Sequence, residues 1–362
     1  MLHNTWDAED IQLPPHNFFT MILKSMLYVA FSSTLAVFAA ALTLVVAYDS
    51  HSLKIVSFAP PSVSSPATLL VLNEIAVTSK GPLLSSPTSP VEIAHGATRY
   101  HIGGGWDTFS FLAEESQLGC SLNTYDGRRI LLSPNQMKLV VGSLSNSTPR
   151  QDMSDFQRPI SDVAEQNFVC PRHILEYDSG MAILDSGLVW KFSRLDERWE
   201  LKHKIDAREV VYSHQASALI YGRFLYRLDP NAGLLTRYYL SDPVAEAQEL
   251  RLTTSVSSTS DGILLLSPRS SHFPKSTIYA AFGDTLFVIA LPDDPFDGLS
   301  TVKNIKTSLY DIKSGVLFGP KNEYLGLSGA GGIRVLQRDE DGTSIAQIAE
   351  LEMKRADGLM CL

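Results

Sequence analysis

The stretch that decides the fold is YLGLSGAGGIRVLQRDEDG, residues 324–342, in which four glycines fall within seven positions between two apolar runs. It can be read as a loop that cradles phosphate or as a bend in β structure. A dinucleotide fingerprint needs G-x-G-x-x-G between a strand and a helix, so that the first helical amides meet the pyrophosphate. Gly329 and Gly331 supply the first half, but Arg334 stands where the third glycine belongs, and no Lys or Ser/Thr follows at Walker-A spacing. IRVLQ (333–337) alternates apolar and polar as a strand does, so no helix N-terminus is there to hold an anion. The glycines are therefore read as a tight bend that needs positive φ.

Outward from this stretch the same plan recurs. MAILDSGLVWKFSRLDERWELKHKI (181–205), SALIYGRFLYRLDPNAGLLTRYYL (217–240) and TIYAAFGDTLFVIAL (277–291) each join an apolar strand, a Gly-centred bend and a second alternating strand. RRILLSPNQMKLVVGSLS (128–145) fits the plan, and VEIAHGATRYHIG (91–103) fits it loosely. With Gly187, Gly222, Gly283 and Gly332 as the shared bend, the separations are 35, 61 and 49 residues. They scatter around the length of a four-stranded propeller blade, about 40 to 50 residues.

VLFGPKNEYLGLSGAGGIRVLQRDEDG (316–342) resembles a blade of the β-propeller superfamily, with GPKNE as the turn that introduces a strand and GGIRVLQ beside it. The resemblance implies a fold only. The Trp-Asp pair that marks one large branch occurs only at Trp6-Asp7 and Trp106-Asp107, away from the ends of these strands. The expected architecture is all-β: a β-propeller of five to seven blades over 91–362, with a pair of β-sandwiches as the alternative.

Upstream, Ser25 to Tyr48 reads SMLYVAFSSTLAVFAAALTLVVAY, with no charge, Gly or Pro. As a helix it would span roughly 36 Å at about 1.5 Å per residue, against a bilayer core of about 30 Å. A tail over 1–24 and a transmembrane signal anchor over 25–48 are expected, with the C-terminal domain lumenal or extracellular. VVA (45–47) also ends the run with small residues at signal-peptidase spacing, so cleavage after Ala47, and secretion, is the other reading. Ser/Pro-rich SFAPPSVSSP (57–66) and SKGPLLSSPTSP (79–90) suggest a stalk over 49–90, with ATLLVLNEIAV (67–77) as a strand returning to the folded body.

In such a compartment Asn146-Ser147-Thr148 would be a glycosylation acceptor at Asn146, and Cys120 could pair with Cys170, leaving Cys361; three thiols is the alternative. No CxxC or Cys/His ligand spacing supports a structural zinc site. A net charge of −9, with basic residues in runs no longer than two, excludes nucleic-acid backbone binding.

Local catalytic motifs are missing: there is no G-x-S-x-G, and no two of His95, His101, His173, His203, His214 and His272 have H-x-x-x-H spacing. HIGGGWDTF (101–109) either brings a ligand near backbone amides or marks a sheet corner. Propeller lactonases gather acidic and His side chains from several blades at the channel mouth, often around a divalent metal. By that resemblance Asp178, Asp185, Glu209, Asp261, Asp284 and Asp311 could converge, although Asp is also a natural turn residue. DPFDG (294–298) and RDEDG (338–342) lack the full calcium-loop pattern and read as hairpin turns. The function expected is binding of a protein or other ligand by a membrane-tethered or secreted propeller without a cofactor. The alternative is a propeller enzyme of lactonase, hydrolase or cyclase type acting on a small molecule in the secretory pathway, with a divalent metal possible.

Overall fold

Short runs of β-branched and aromatic residues between turns dictate strands, and in the computed structural model every regular element among the described residues is a strand. The structure describes residues 42–48, 52–76, 217–240, 247–254, 262–294 and 297–361, and between residues 83 and 206 the backbone of the strands alone. All strand pairs are antiparallel. β1 (Leu42–Tyr48), β2 (Ser52–Ala59) and β3 (Thr68–Ala76) form the first meander. A four-stranded sheet follows, of β4 (Leu83–Ser85), β5 (Glu92–His95), β6 (Thr98–His101) and β7 (Trp106–Thr108), then a three-stranded one of β8 (Cys120–Asn123), β9 (Arg128–Ser133) and β10 (Lys138–Ser143). Three further meanders of four are β11 (Pro171–Tyr177) to β14 (Arg198–Asp206) through β12 (Gly180–Asp185) and β13 (Leu188–Leu195); β15 (Ser217–Tyr221), β16 (Phe224–Asp229), β17 (Leu234–Tyr239) and β18 (Gln248–Arg251); and β19 (Ile263–Ser267), β20 (Thr277–Phe282), β21 (Thr285–Ala290) and β22 (Ser300–Lys306). Finally β23 (Tyr310–Phe318), β24 (Tyr324–Arg338) and β25 (Ile345–Cys361) join the first meander in one sheet ordered β23-β24-β25-β1-β2-β3.

Six separate small sheets replace the two large faces of a sandwich pair. Their first strands neighbour one another in succession, β8 with β11, β11 with β15, β15 with β19 and β19 with β23, while β25 lies against β4. The sheet β19–β22 shows why the segments read as they do. Ile278, Ala280, Phe282, Phe287 and Ile289 pack with Phe224, Tyr226 and Leu235 on one side, and Tyr279, Leu286 and Val288 pack with Ile312, Leu325 and Leu327 on the other. Both faces are core, so apolar residues occupy both sets of alternate positions.

The same burial corrects the expected membrane helix over 25–48. Leu42–Tyr48 is a strand held on both edges, with Leu44 opposite Cys361 of β25 and Leu42 opposite Phe58 of β2. Leu44, Val45 and Val46 are fully buried. A strand covered on both edges and both faces needs an uninterrupted apolar run, which is also the signature of a membrane span. Cleavage after Ala47 would fall inside this strand. Residues 1–41 lie outside the described residues, among which no helix is long and apolar enough to cross a membrane. The stalk expected over 49–90 is also displaced: β2 and β3 belong to the six-stranded sheet, and Ser/Pro residues 60–67 connect them. Phe58, inside the supposed stalk, meets Phe318 and Tyr324 edge-on at 5.4 and 5.0 Å between ring centroids. The strand expected within 67–77 is β3, and the compact unit begins at Leu42 rather than at residue 91.

Of the four glycine bends, Gly222 (φ 59°) and Gly283 (φ 60°) are hairpin turns, and position 187 falls between β12 and β13, outside the described residues. Gly332 is different. β24 runs through it, with a register shift between Ala330 and Gly331 and φ of 101° and 113° at Gly331 and Gly332, so the glycines make a bulge within one strand. No helix follows, and the phosphate-loop reading is excluded. The bends also serve unlike places: Gly222 joins the first and second strands of its sheet, whereas positions 187 and 283 join second to third. The matching turn between β16 and β17 ends at Gly233 (φ 59°), and positions 187, 233 and 283 are then 46 and 50 residues apart.

Two buried arginines fasten the turns near the C-terminus. Arg334 donates from Nε to Ser308 Oγ (2.5 Å) and from Nη2 to Glu352 Oε1 (2.9 Å). Arg338 donates to the Asn322 carbonyl (2.6 Å) and Ser267 Oγ (2.7 Å), with its guanidinium 3.8 Å from the Phe273 ring centroid. Beside it Tyr279 donates to the Gly342 carbonyl at 2.6 Å.

Four substitutions test this fold. Gly332→Ala puts a Cβ 2.1 Å from the Leu351 carbonyl oxygen at positive φ, and should cost about 3 kcal/mol or more in urea unfolding. Gly222→Ala, with nothing within 4 Å, should cost only about 1 kcal/mol. Val46→Lys should lower the unfolding free energy by about 3 kcal/mol or more, because an ammonium would sit in the core, whereas a lysine near the end of a membrane helix would reach water and be tolerated. Burial, opposed by the nearby Arg338, pushes the Tyr279 pKa up to about 12. The folded chain then keeps a proton that the unfolded chain releases from about pH 10. This contribution is complete below that pH and vanishes as pH rises toward 12. Tyr279→Phe should cost about 1 to 3 kcal/mol at pH 7 by stranding the Gly342 carbonyl, and should flatten the stability loss between these two pH values.

Candidate functional site

The most site-like feature among the described residues is built by one face of β15–β18. Antiparallel register sets Tyr221 opposite Phe224 and Phe224 opposite Tyr239, making an aromatic row across three strands. One step along, Tyr226 stands opposite Arg237, and Arg237 opposite Gln248. Strand alternation makes this face from the sequence RYY (237–239) and FLY (224–226): positions two apart point the same way. Leu291 and Pro292, just after β21, supply the facing wall and enclose a cleft of about 380 Å³. Tyr221 Oη and Ser276 Oγ, 2.9 Å apart, tie the two sheets at its edge.

Arg237 is only 2% exposed. Its Nη2 donates to Gln248 Oε1 and to the Asp297 carbonyl, its Cζ lies 4.9 Å from the Phe224 ring centroid, and its Nε has no hydrogen-bond partner. Among the described residues no carboxylate pairs with it. Arg334, by contrast, has Glu352 at 2.9 Å and Glu350 at 3.5 Å. Burial raises the pKa of Tyr226 against the opposing pull of Arg237, so its hydroxyl stays protonated and able to donate. The cleft thus offers a buried positive charge, a phenol donor and aromatic walls. Only the alternation of arginine with tyrosine on a strand hinted at this; no local motif marks it.

The acidic residues read from the sequence do not gather here. Asp284 sits in the β20–β21 turn, accepting from Thr285 Oγ1 at 2.8 Å, and Asp311 (φ 53°) lies 3.8 Å from Lys313 Nζ. Asp185 ends β12, while Asp178, Glu209 and Asp261 lie outside the described residues. His95, His101, His173 and His203 fall on β5, β6, β11 and β14; His272 is exposed in a turn and His214 is outside the described residues. No three His, Cys, Asp or Glu side chains stand in metal-binding range among the described residues. RDEDG is a hairpin turn, as read: Asp341 Oδ1 accepts from the Thr343 amide (2.7 Å) and hydroxyl (2.6 Å). DPFDG also turns, the Asp297 amide donating to the Asp294 carbonyl (3.1 Å). Of HIGGGWDTF, Trp106–Thr108 is β7. Cys120 opens β8, and Cys170 and Asn146 lie outside the described residues. Cys361 is a thiol whose pKa is raised by burial.

No family model and no curated protein matches this chain. Solved structures do. A proposed 6-phosphogluconolactonase from Bacteroides fragilis matches with a TM-score of 0.56 and 13% identity, over 89% of this chain and 98% of its own. Another from Bacteroides uniformis gives 0.57 and 12%, over 89% and 100%. The periplasmic gluconolactonase of Pseudomonas aeruginosa gives 0.51 and 13%, over 89% and 99%. At such identities the likeness is one of fold, and that fold is the lactonase-like propeller type.

Proposed function

We propose that this chain is a propeller of lactonase type that opens the ring of a small sugar-acid lactone. The observation that carries the reading is the correspondence of nearly the whole chain with nearly the whole of the Bacteroides and Pseudomonas proteins. In this reading the sheets stand in a ring of seven blades. The six-stranded sheet counts as two of them, β25 lies at their join, and its contact with β4 closes the circle. The succession of first strands and the burial of both faces of β19–β22 support that arrangement.

In the reaction, water adds to the lactone carbonyl and the ring C–O bond breaks to give the hydroxy acid, so one group must take a proton from water and another give one to the leaving oxygen. Asp284 and Asp311 are withdrawn from this role by their turn and ion-pair contacts. Asp185, Glu209 and Asp261 are the proposed candidates, placed by their positions at the end of β12, after β14 and before β19; position 178 falls in the β11–β12 connection, at the opposite end of that sheet from Asp185. For the compartment, β1 takes Leu42–Tyr48 out of the apolar run and leaves residues 25–41. That length is at the lower end of a bilayer span and above a typical signal h-region. It supports membrane targeting ahead of an exported propeller.

The test is ring opening of glucono-1,5-lactone and of its 6-phosphate, followed by proton release in a pH-stat against the spontaneous rate, with EDTA, calcium and magnesium arms. Saturable acceleration of at least about a hundredfold is expected with one of them. No acceleration by a chain shown to be folded, with either lactone and in every metal arm, overturns the reading.

A further inference from the structure

We propose that the cleft between the sheets β15–β18 and β19–β22 is a binding site for a small planar organic carboxylate, with Arg237 as its counter-charge. This goes beyond the lactonase reading, because it concerns a cleft between two neighbouring sheets and requires no reaction.

The charge argument comes first. A guanidinium stays protonated in a protein, and taking it out of water costs several kcal/mol unless an opposite charge or a full set of acceptors replaces the water. Arg237 has two neutral acceptors on one nitrogen and the Tyr226 hydroxyl beside it, none on Nε, and no carboxylate among the described residues. The other buried arginines among the described residues have other partners: Arg227 has Asp229 at 3.9 Å, Arg334 is paired with Glu352, and Arg338 is spread between Asn322, Ser267 and the Phe273 ring. Arg237 lines the cleft. A carboxylate entering that cavity supplies the charge that the described residues omit, and charge-assisted bonds to guanidinium are the strong kind.

The shape argument selects the rest of the ligand. A volume of about 380 Å³ sits at the small end of small-molecule sites, about 300 to 1,000 Å³. The Tyr221, Phe224, Tyr239 row offers ring edges and faces to a flat ligand, and Leu291 closes the opposite side. Tyr226, directly across from Arg237, adds a neutral donor beside the charge. A compact, strongly hydrated anion such as phosphate would leave the aromatic walls unused.

The experiment is calorimetric or ligand-observed NMR titration of the full chain with benzoate, with isosteric neutral benzamide and with inorganic phosphate. Benzoate is expected to bind at about millimolar Kd or tighter, and benzamide and phosphate at least about tenfold more weakly. Arg237→Gln, which keeps hydrogen bonding and loses the charge, should weaken benzoate by about tenfold or more. Leu291→Trp, which fills the cleft without touching a buried charge, guards against misfolding of the first variant and should do the same. Equal binding of benzoate and benzamide, unchanged benzoate binding in folded Leu291→Trp, or no benzoate binding to the folded parent chain would each overturn the proposal. Because binding is read without turnover, it can fail while lactone opening succeeds, and the reverse.

Discussion

The pairing of β1 with β25 is the contact on which the rest of the structure depends. Leu44 to Tyr48 align with Cys361 back to Ala356, so the first described strand lies against the last. Without β1, the six-stranded sheet would divide into two pieces with bare edges at β25 and β2, and Leu44, Val46, Val56 and Phe58 would lose the partners they share with Phe318, Tyr324 and Leu359. Ser314 Oγ accepts from the Leu359 amide at 3.1 Å and fastens β23 to the same join. Joining residues more than three hundred positions apart imposes a high contact order, so closure comes after the local meanders and the chain folds slowly for its size. β3, the far edge of this sheet, keeps Leu70 and Leu72 exposed, and Lys54 and Glu74, 3.4 Å apart, add charge beside it.

Much of this architecture was legible in the sequence, and the errors have one physical origin. Hairpins at Gly222 and Gly283 were readable because positive φ selects glycine and the flanking runs alternate. Leu42–Tyr48 was assigned to a membrane helix because periodicity reports how many faces are wet, and β1 has none: its residues continue the apolar run of 25–41 while meeting only strands. The stalk was misread because proline and serine say that a backbone lacks ladder partners, which holds as well for an eight-residue connection as for a tether. The uneven repeat came from equating bends at different places in their meanders. With Gly233 in place of Gly222 the spacing becomes nearly regular, which composition could not have told in advance.

Buried charge was illegible for a related reason. In RYY and GGIRVLQR the arginines occupy positions that alternation assigns to one face of a strand, and a sequence gives no sign of whether that face meets water or another sheet. Here it meets a sheet, and each arginine solves the resulting desolvation differently: Arg334 with carboxylates, Arg338 with oxygens and an aromatic face, Arg237 with two oxygens at the wall of a cavity. These are structural solutions in the first two cases. The third leaves a charge at a cavity wall, where a ligand can share in its compensation.

The turn chemistry that shapes the fold also limits where its chemistry can reside. Asp229 Oδ1 accepts from the amides of Asn231 and Ala232, Asp339 Oδ1 from Ser344, and Asp341 Oδ1 from Thr343. At Asp341 the hydrogen bond shared with Asp339 and those from Thr343 favour the charged form and hold the carboxyl below the usual range. The acidic stretch RDEDG is thereby committed to its own turn. Under the lactonase reading, a general base must come from an acid free of such capping, and the first strands, which neighbour one another from β8 to β23, are where separate sheets come together.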